Sequence, residues 1–479
     1  MEHISIKRIV ECKNIKNAEA LMKNRETQVT LCENSYMTVE EDGGYIILDF
    51  GKEMCGGIKI ATINVKNERK CASIRVRFGE SLTETSAELG EKNATNDHAP
   101  RDFMTFLSFM STITVGNTGY RFVRIDFPAG AEITVKAILG TNQILKKRSK
   151  YAYRGEDKRI KEIFAAAKRT VDLCSSGDYI WDGVKRDRLV WIGDLYPEVL
   201  ALTSMYGRVK AIESSLRFER EREKMDGIWM STINTYNMWW VVCLAEYYFR
   251  VGEEVMPFVL TQIDYAEQLI ALYDGYVDEN GVITNPSGTC VLVDWLTADN
   301  PHDSQIGGRM IWALGAKKAA ELFKRLGKDT KTAEHLLEKL TKGDKQEIQE
   351  MKSVLGLKHA VYGALSDEEY QKLIEGGACG LCTFMTYFTL SAIAARDKAL
   401  ATKIMKEYYG GMLDKGATTF WEHFDITWVK DSGRIDRYPK DNQKDIHGDF
   451  GKGCYEGFRH SLCHAWASGV IAFIKENIK

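Results

Sequence analysis

"EDKRIKEIFAAAKRTVDLC", residues 156–174, is where the chain changes its period. Its apolar residues Ile160, Ile163, Phe164, Ala167 and Val171 recur three and four positions apart, which places them on one face of a helix. Ahead of it the pattern is that of strands. "GYIILDFG" (44–51), "GGIKIATINV" (56–65), "SIRVRFGE" (73–80), "RFVRIDF" (121–127) and "AEITVKAIL" (131–139) are short runs rich in Ile, Val and Phe, bounded by Gly, Asn and Lys. Such a series predicts an antiparallel β-sandwich. The polar insertion "GEKNATNDHAPRD" (90–102) reads as a loop between strands.

Behind residue 174 the helical spacing returns again and again, at about 196–222, 235–252, 255–273, 305–326, 331–356, 366–376, 380–394, 395–409 and 461–477. Only seven prolines occur in 479 residues, far below the usual share of about 5%, which suits long helices. No fixed-period repeat appears, so a closed helical toroid is expected over a solenoid. The expected boundary puts a β-sandwich in 1–146 and an all-α domain in 147–479; a chain this long is expected to carry more than one core.

Composition is that of a globular protein, 44% hydrophobic and 28% charged. A formal net charge of −2 gives no electrostatic reason to expect nucleic acid or an acidic membrane surface as partner, and favours a neutral or mildly polar substrate. The opening "MEHISIKRIVECKN" lacks the apolar stretch of a signal peptide, and no run of 18 apolar residues marks a membrane span. Eleven scattered cysteines then read as reduced thiols in a cytoplasmic protein. "CGLC" (379–382) has no second pair for a zinc site, and "DEN" (278–280) lacks calcium-loop spacing, so no metal is expected. The absence of a glycine-rich strand–helix turn leaves no cofactor expected either.

Three segments between the helices are aromatic: "GIWMSTINTYNMWW" (227–240), "LVDWLTADNPHD" (292–303) and "TTFWEHFDITW" (418–428). Tryptophan beside acids and amides suits a carbohydrate cleft, where a flat ring covers the C–H face of a sugar and polar groups bond its hydroxyls. Each tryptophan alone is as well explained by plugging a helix junction.

The densest stretch is "WDGVKRDRLVWIGDLYPE" (181–198), with four carboxylates and three cations threaded among Leu189, Val190, Ile192 and Leu195. Leaving such charges unpaired beside apolar groups costs several kcal/mol. A break is expected at "IGD", with Asp194 as a candidate N-cap and Pro197 in the first helical turn. For Asp187 the plain alternative is an ion pair with Lys185, Arg186 or Arg188.

"DGVKRDRLVWIGD" (182–194) resembles the signature of the family 78 glycoside hydrolases, the inverting α-L-rhamnosidases, approximately D-x-P-x-R-E-R-x-x-W-x-G-D. Asp182, Arg186, Arg188, Trp191, Gly193 and Asp194 match it in register. The resemblance continues in "LDFGKEMCGGIKI", "RVRFGESL" and "GYRFVRI" before the helices. It continues in "VDWL" (293–296), "GATTFWEHFD" (416–425) and "SLCHAWASG" (461–469) among them. It implies an (α/α)6 toroid of six helical hairpins and an exo-acting, inverting hydrolysis of terminal α-L-rhamnosides. Asp187 takes the position of the general acid and Glu422 that of the general base. The resemblance further implies that Asp182 and Asp194 bond sugar hydroxyls, that Arg186 pairs with acids, and that Trp191 and Trp295 form apolar walls. Asp294, Trp421 and His464 complete the expected substrate contacts.

Asp187 stands where the family has Glu, and Gly183-Val184 replaces its usual Cys-Pro. The C-terminal β domain that many members carry has no counterpart in the sequence. An inverting glycosidase for another sugar and a carbohydrate-binding relative without catalysis are therefore the competing readings.

Overall fold

The computed structural model describes residues 2–23, 26–28, 36–97, 99–222, 232–342, 351–453 and 455–478. Residues 227–231 of the first aromatic segment, His98 of the 90–102 insertion and residues 343–350 of the expected 331–356 helix lie outside them.

The N-terminal strands are β1 (Glu2–Ile4), β2 (Arg8–Lys13), β3 (Ile15–Lys16), β4 (Met37–Val39) and β5 (Gly44–Lys66). They are followed by β6 (Cys71–Gly79), β7 (Asp102–Ser108), β8 (Ser111–Phe127) and β9 (Glu132–Asn142). All pair antiparallel in one curled sheet whose main order is β3-β4-β9-β5-β8-β6-β7, with β1 on β9 and β2 on β5. The two runs 44–51 and 56–65 that read as separate strands form the single strand β5. The glycines between them serve as bulges, not as a turn: the β5–β8 register shifts between Asp49 and Met54 and again between Gly56 and Ile58. Gly51 and Gly56, at φ 83° and 153°, take conformations that side chains resist. Among its described residues, the insertion 90–102 carries one short 3-10 turn, at Glu91–Asn93, before β7 begins at Asp102.

Helices dominate the remaining described residues, beginning with Lys158–Cys174, where Asp157 caps the Ile160 N–H. The expected 196–222 helix is two, Leu195–Tyr206 and Lys210–Arg222, parted by Gly207 at φ 70°. Long helices follow at Asn234–Val251, Pro301–Arg325 and Lys398–Asp414. At the C-terminal end only Val470–Asn477 of the expected 461–477 helix is α-helical. Residues 461–464 run irregularly beside the stretch 181–188: Gly183 bridges His464, and the Ala465 N–H donates to Asp182 O at 2.7 Å. No helix among the described residues is long and apolar enough to cross a membrane.

The helices bury one apolar core and the sheet another. Between them lies a small third cluster of Cys55 from β5, Leu173 and Cys174 from the first long helix, and Val184, Cys463 and Ala465. The start of the dense stretch 181–198 is thus laid on the seam between sheet and helices, with Val184 packed into it.

Candidate active site

Residues 181–194 form no helix. Asp182 closes the segment into a loop: its Oδ1 accepts the Leu189 N–H at 2.9 Å, and its own N–H donates to Leu189 O at 3.2 Å. At the tip, Asp187 and Arg188 both adopt left-handed backbone, with φ 56° and 52°. Non-glycine residues held this way cost about 1–3 kcal/mol each and cluster where geometry serves function. Arg188 stabilises the turn and points out of it, donating to Val184 O at 2.9 Å and Asn117 Oδ1 at 3.2 Å.

Arg186 turns inward. Its guanidinium donates to Glu422 Oε2 at 2.6 Å, to Asp187 Oδ2 and to Arg459 O at 2.8 Å, and lies 3.5 Å from the centre of the Tyr455 ring. One buried cation thereby joins the two carboxylates expected to do the chemistry. Glu422 also accepts the Ser461 N–H at 3.2 Å. Its backbone is fixed by Ser461 O, 3.0 Å from its N–H, and by Trp466 Nε1, 2.8 Å from its carbonyl. Tyr455 Oη lies 3.3 Å from Asp187 Oδ2.

Asp194 directly precedes the helix Leu195–Tyr206, but its side chain caps nothing; its Oδ1 instead accepts Tyr236 Oη at 3.2 Å. Gly193 makes this possible, since a Cβ there would lie 2.5 Å from the Tyr236 ring. His464 Nε2 sits 3.9 Å from Asp182 Oδ2 and 3.8 Å from Asp194 Oδ2, so it faces both acids from just outside hydrogen-bond range.

These groups surround a cavity of about 70 Å³, lined by Asp182, Asp187, Asp194, Glu422 and His464 and by Trp191, Tyr236, Trp295, Tyr455 and Trp466, with Ile233 and Leu292. That is several times the roughly 10–15 Å³ needed to hold one water.

Burial pushes the carboxyls of Asp182 and Asp194 well above the usual aspartate range, and their neighbouring acids reinforce it. Glu198 behind them is raised in the same way, by burial and then by Asp194 and Asp182. Glu422 is raised by burial against the opposing pull of Arg186. Burial holds His464 neutral. Asp182, Asp194, Glu198 and Glu422 therefore retain protons at pH values where exposed carboxyls have lost them.

Two expected contacts lie elsewhere. Asp294 is buried off the cavity, accepting the Thr297 N–H at 2.8 Å and the Ser353 hydroxyl, because it turns the chain into the short helix Thr297–Asp299. Trp421 is fully buried against Phe424 and belongs to the helical core, as do Trp239 and Trp240 of the first aromatic segment. Arg186 does not line the cavity but sits between the acids that do. Tyr236, Tyr455 and Trp466 were not expected in this role. Tyr236 and Trp466 stand inside segments that the sequence does single out. Tyr455 follows "FGKG" (450–453), where a Cβ on Gly453, at φ 66°, would lie 2.9 Å from the Trp295 ring, a glycine-dependent approach the sequence does not advertise.

No family model and no curated protein matches the chain by sequence. Its fold matches solved structures. A rhamnosidase from Klebsiella oxytoca with rhamnose bound aligns over 99% of this chain and 95% of its own, with TM-score 0.76 and 19% identity. The GH78 family rhamnosidase of Bacillus sp. GL1 aligns over 96% of this chain and 48% of its own, at 0.70 and 16%. The Streptomyces avermitilis α-L-rhamnosidase complexed with L-rhamnose aligns over 90% and 42%, at 0.62 and 15%. The chain thus has a rhamnosidase-like fold, nearly the whole of the Klebsiella chain but under half the length of the other two.

Proposed function

We propose that this chain, folded like the family 78 α-L-rhamnosidases, is a glycoside hydrolase that removes terminal α-L-rhamnosyl units with inversion. In this reading residues 1–146 form an accessory β-sandwich and 147–479 an (α/α)6 catalytic toroid. Asp187 is the general acid toward the glycosidic oxygen, and Glu422 is the base for the attacking water. Asp182, Asp194 and His464 take hydroxyls. Trp191, Trp295 and Tyr455 face the ring and the methyl of a 6-deoxy sugar, which rewards apolar walls.

The observation that carries the reading is the shared cation: Arg186 holds both Asp187 and Glu422 at the wall of a cavity lined by acids and aromatic rings. Glu422 suits a base, because a carboxyl raised by burial takes up a proton more readily than an ordinary glutamate. It also has two N–H donors to steady its charge. Beside Asp187, burial raises the carboxyls of Asp182, Asp194 and Glu198, so these acids hold protons to higher pH than exposed carboxyls do.

The contact between Arg186 and Asp187 also supports a second reading, in which Asp187 serves as a partner of the guanidinium and not as an acid. A carbohydrate-binding protein that holds the sugar without cleaving it fits that contact. Turnover decides between them. A panel of aryl glycosides should be cleaved only as the α-L-rhamnoside, and Asp187→Asn should lose nearly all of that activity. Cleavage of a different sugar reassigns the substrate, near-wild-type activity of Asp187→Asn removes Asp187 as the acid, and binding without cleavage leaves the second reading.

A further inference from the structure

The two chain segments that carry Asp187 and Glu422 meet a third group, which comes from the sheet. Glu80 directly follows β6 and is completely buried. Its Oε2 lies 3.1 Å from Lys185 Nζ, two residues before Asp187. The same oxygen accepts the Leu462 N–H at 2.6 Å, and Oε1 lies 3.4 Å from Ser461 Oγ. Ser461 in turn gives its N–H to Glu422 and receives that of Glu422 on its carbonyl, at 3.2 and 3.0 Å. One carboxylate thus grips both sides of the cavity from below.

Lys185 is held hard at this point. Its ammonium also meets Glu84 Oε1 at 3.3 Å, His447 Nε2 at 3.3 Å, Phe458 O at 2.8 Å and His460 O at 2.5 Å. Glu80, Glu84 and His447 are close enough together to ligate a metal ion, and the ammonium of Lys185 lies against all three. Gly119 of β8 lets the backbone of Lys185 settle on the sheet, since a Cβ there would lie 2.7 Å from the Lys185 nitrogen. The Glu84 carboxylate meets Lys185 and accepts the backbone N–H of Glu80 at 2.8 Å, whereas the Glu80 carboxylate is the one that takes up Ser461 and Leu462.

We propose that Glu80 is a positioning residue for hydrolysis: by tying Lys185 to Ser461–Leu462 it sets the separation of Asp187 and Glu422. The sheet is then part of the catalytic machinery and not an appendage. The proposal rests on the hydrolase reading above.

The test compares Glu80→Gln with Glu84→Gln in the full chain on an aryl α-L-rhamnoside, with the folded fraction measured by circular dichroism. Glu80→Gln should lower kcat about tenfold or more with KM changed by less than about threefold, since misplacement of about 1 Å costs up to about 100-fold. Glu84→Gln, which leaves the 461–462 contact in place, should lower Tm and leave kcat within about threefold. Equal loss of Tm with kcat unchanged in both variants would make Glu80 a structural anchor only and overturn the proposal. If Glu80→Gln does not fold, Glu80→Gln/Glu84→Gln/Lys185→Met removes the buried charges together, should fold, and should show the same loss of kcat. If the wild type cleaves no glycoside, the hydrolase reading has failed. Crystal structures of wild type and Glu80→Gln then still decide the positioning claim. The separation of Asp187 and Glu422 should change by more than about 0.5 Å, and an unchanged separation overturns it.

Discussion

Replacing Arg186 with methionine removes the one cation shared by Asp187 and Glu422 and keeps much of the side chain's volume. The guanidinium is 3% exposed and makes contacts to both acids, to Arg459 O and to the Tyr455 ring. Removing one partner of a buried ion pair costs about 3–5 kcal/mol, because the remaining charge stays in a poorly solvating site. Part of that cost can be relieved by protonation. Burial already raises Glu422, and Arg186 is the main force opposing the rise, so Arg186→Met raises it further. A carboxyl whose folded pKa exceeds its unfolded value gives full stability below the unfolded value, 4.5 for glutamate, and loses it as the pH climbs through the folded value. The Tm deficit of the variant should therefore be large at pH 8 and shrink at pH 5, each unit of added shift contributing about 1.4 kcal/mol to the difference. Calorimetry at both pH values and one scan rate reads it. Activity on an aryl rhamnoside should fall by about 100-fold or more, as when a preorganised electrostatic group is removed. A Tm deficit equal at pH 5 and pH 8, with activity within about tenfold of wild type, would refute the ion-pair reasoning, because lost packing does not titrate.

Two other substitutions probe the acids individually. Asp194→Asn removes a carboxyl whose folded pKa burial has raised, so the variant should gain on wild type as pH increases from 4.5 to 8, read as the difference in Tm; a difference that moves the other way contradicts the protonated Asp194. Asp294→Ala should cost about 1–3 kcal/mol from the orphaned Thr297 N–H and Ser353 hydroxyl yet leave KM unchanged, and a tenfold rise in KM would return Asp294 to the sugar contacts.

Much of this arrangement is legible in the sequence because its signals are local. The change of period at residues 156–174 locates the start of the helices, and the stretch 182–194 names most of the acids that meet in the cavity. What escapes is set by distance along the chain. Whether Arg186 faces Asp182, Glu198 or Glu422 depends on a segment 236 residues away. Glu80 looks like the polar end of a strand until the fold lays Ser461 and Lys185 upon it. The tryptophan-rich segments contain both kinds of ring: Trp295 faces the cavity, whereas Trp239, Trp240 and Trp421 are packed in the core. Apolar bulk is the same in both settings, so composition cannot separate them. The strand count failed for a related reason, because a glycine pair reads alike whether it reverses the chain or bulges a continuous strand.

Proton NMR of the sugar first released from an aryl α-L-rhamnoside, recorded before mutarotation, tests the central assignment most directly. With Asp187 as acid and Glu422 directing water from the opposite face, β-L-rhamnose should appear first and the α anomer only later. Initial release of α-L-rhamnose, or no release at all while the sugar binds, would contradict it.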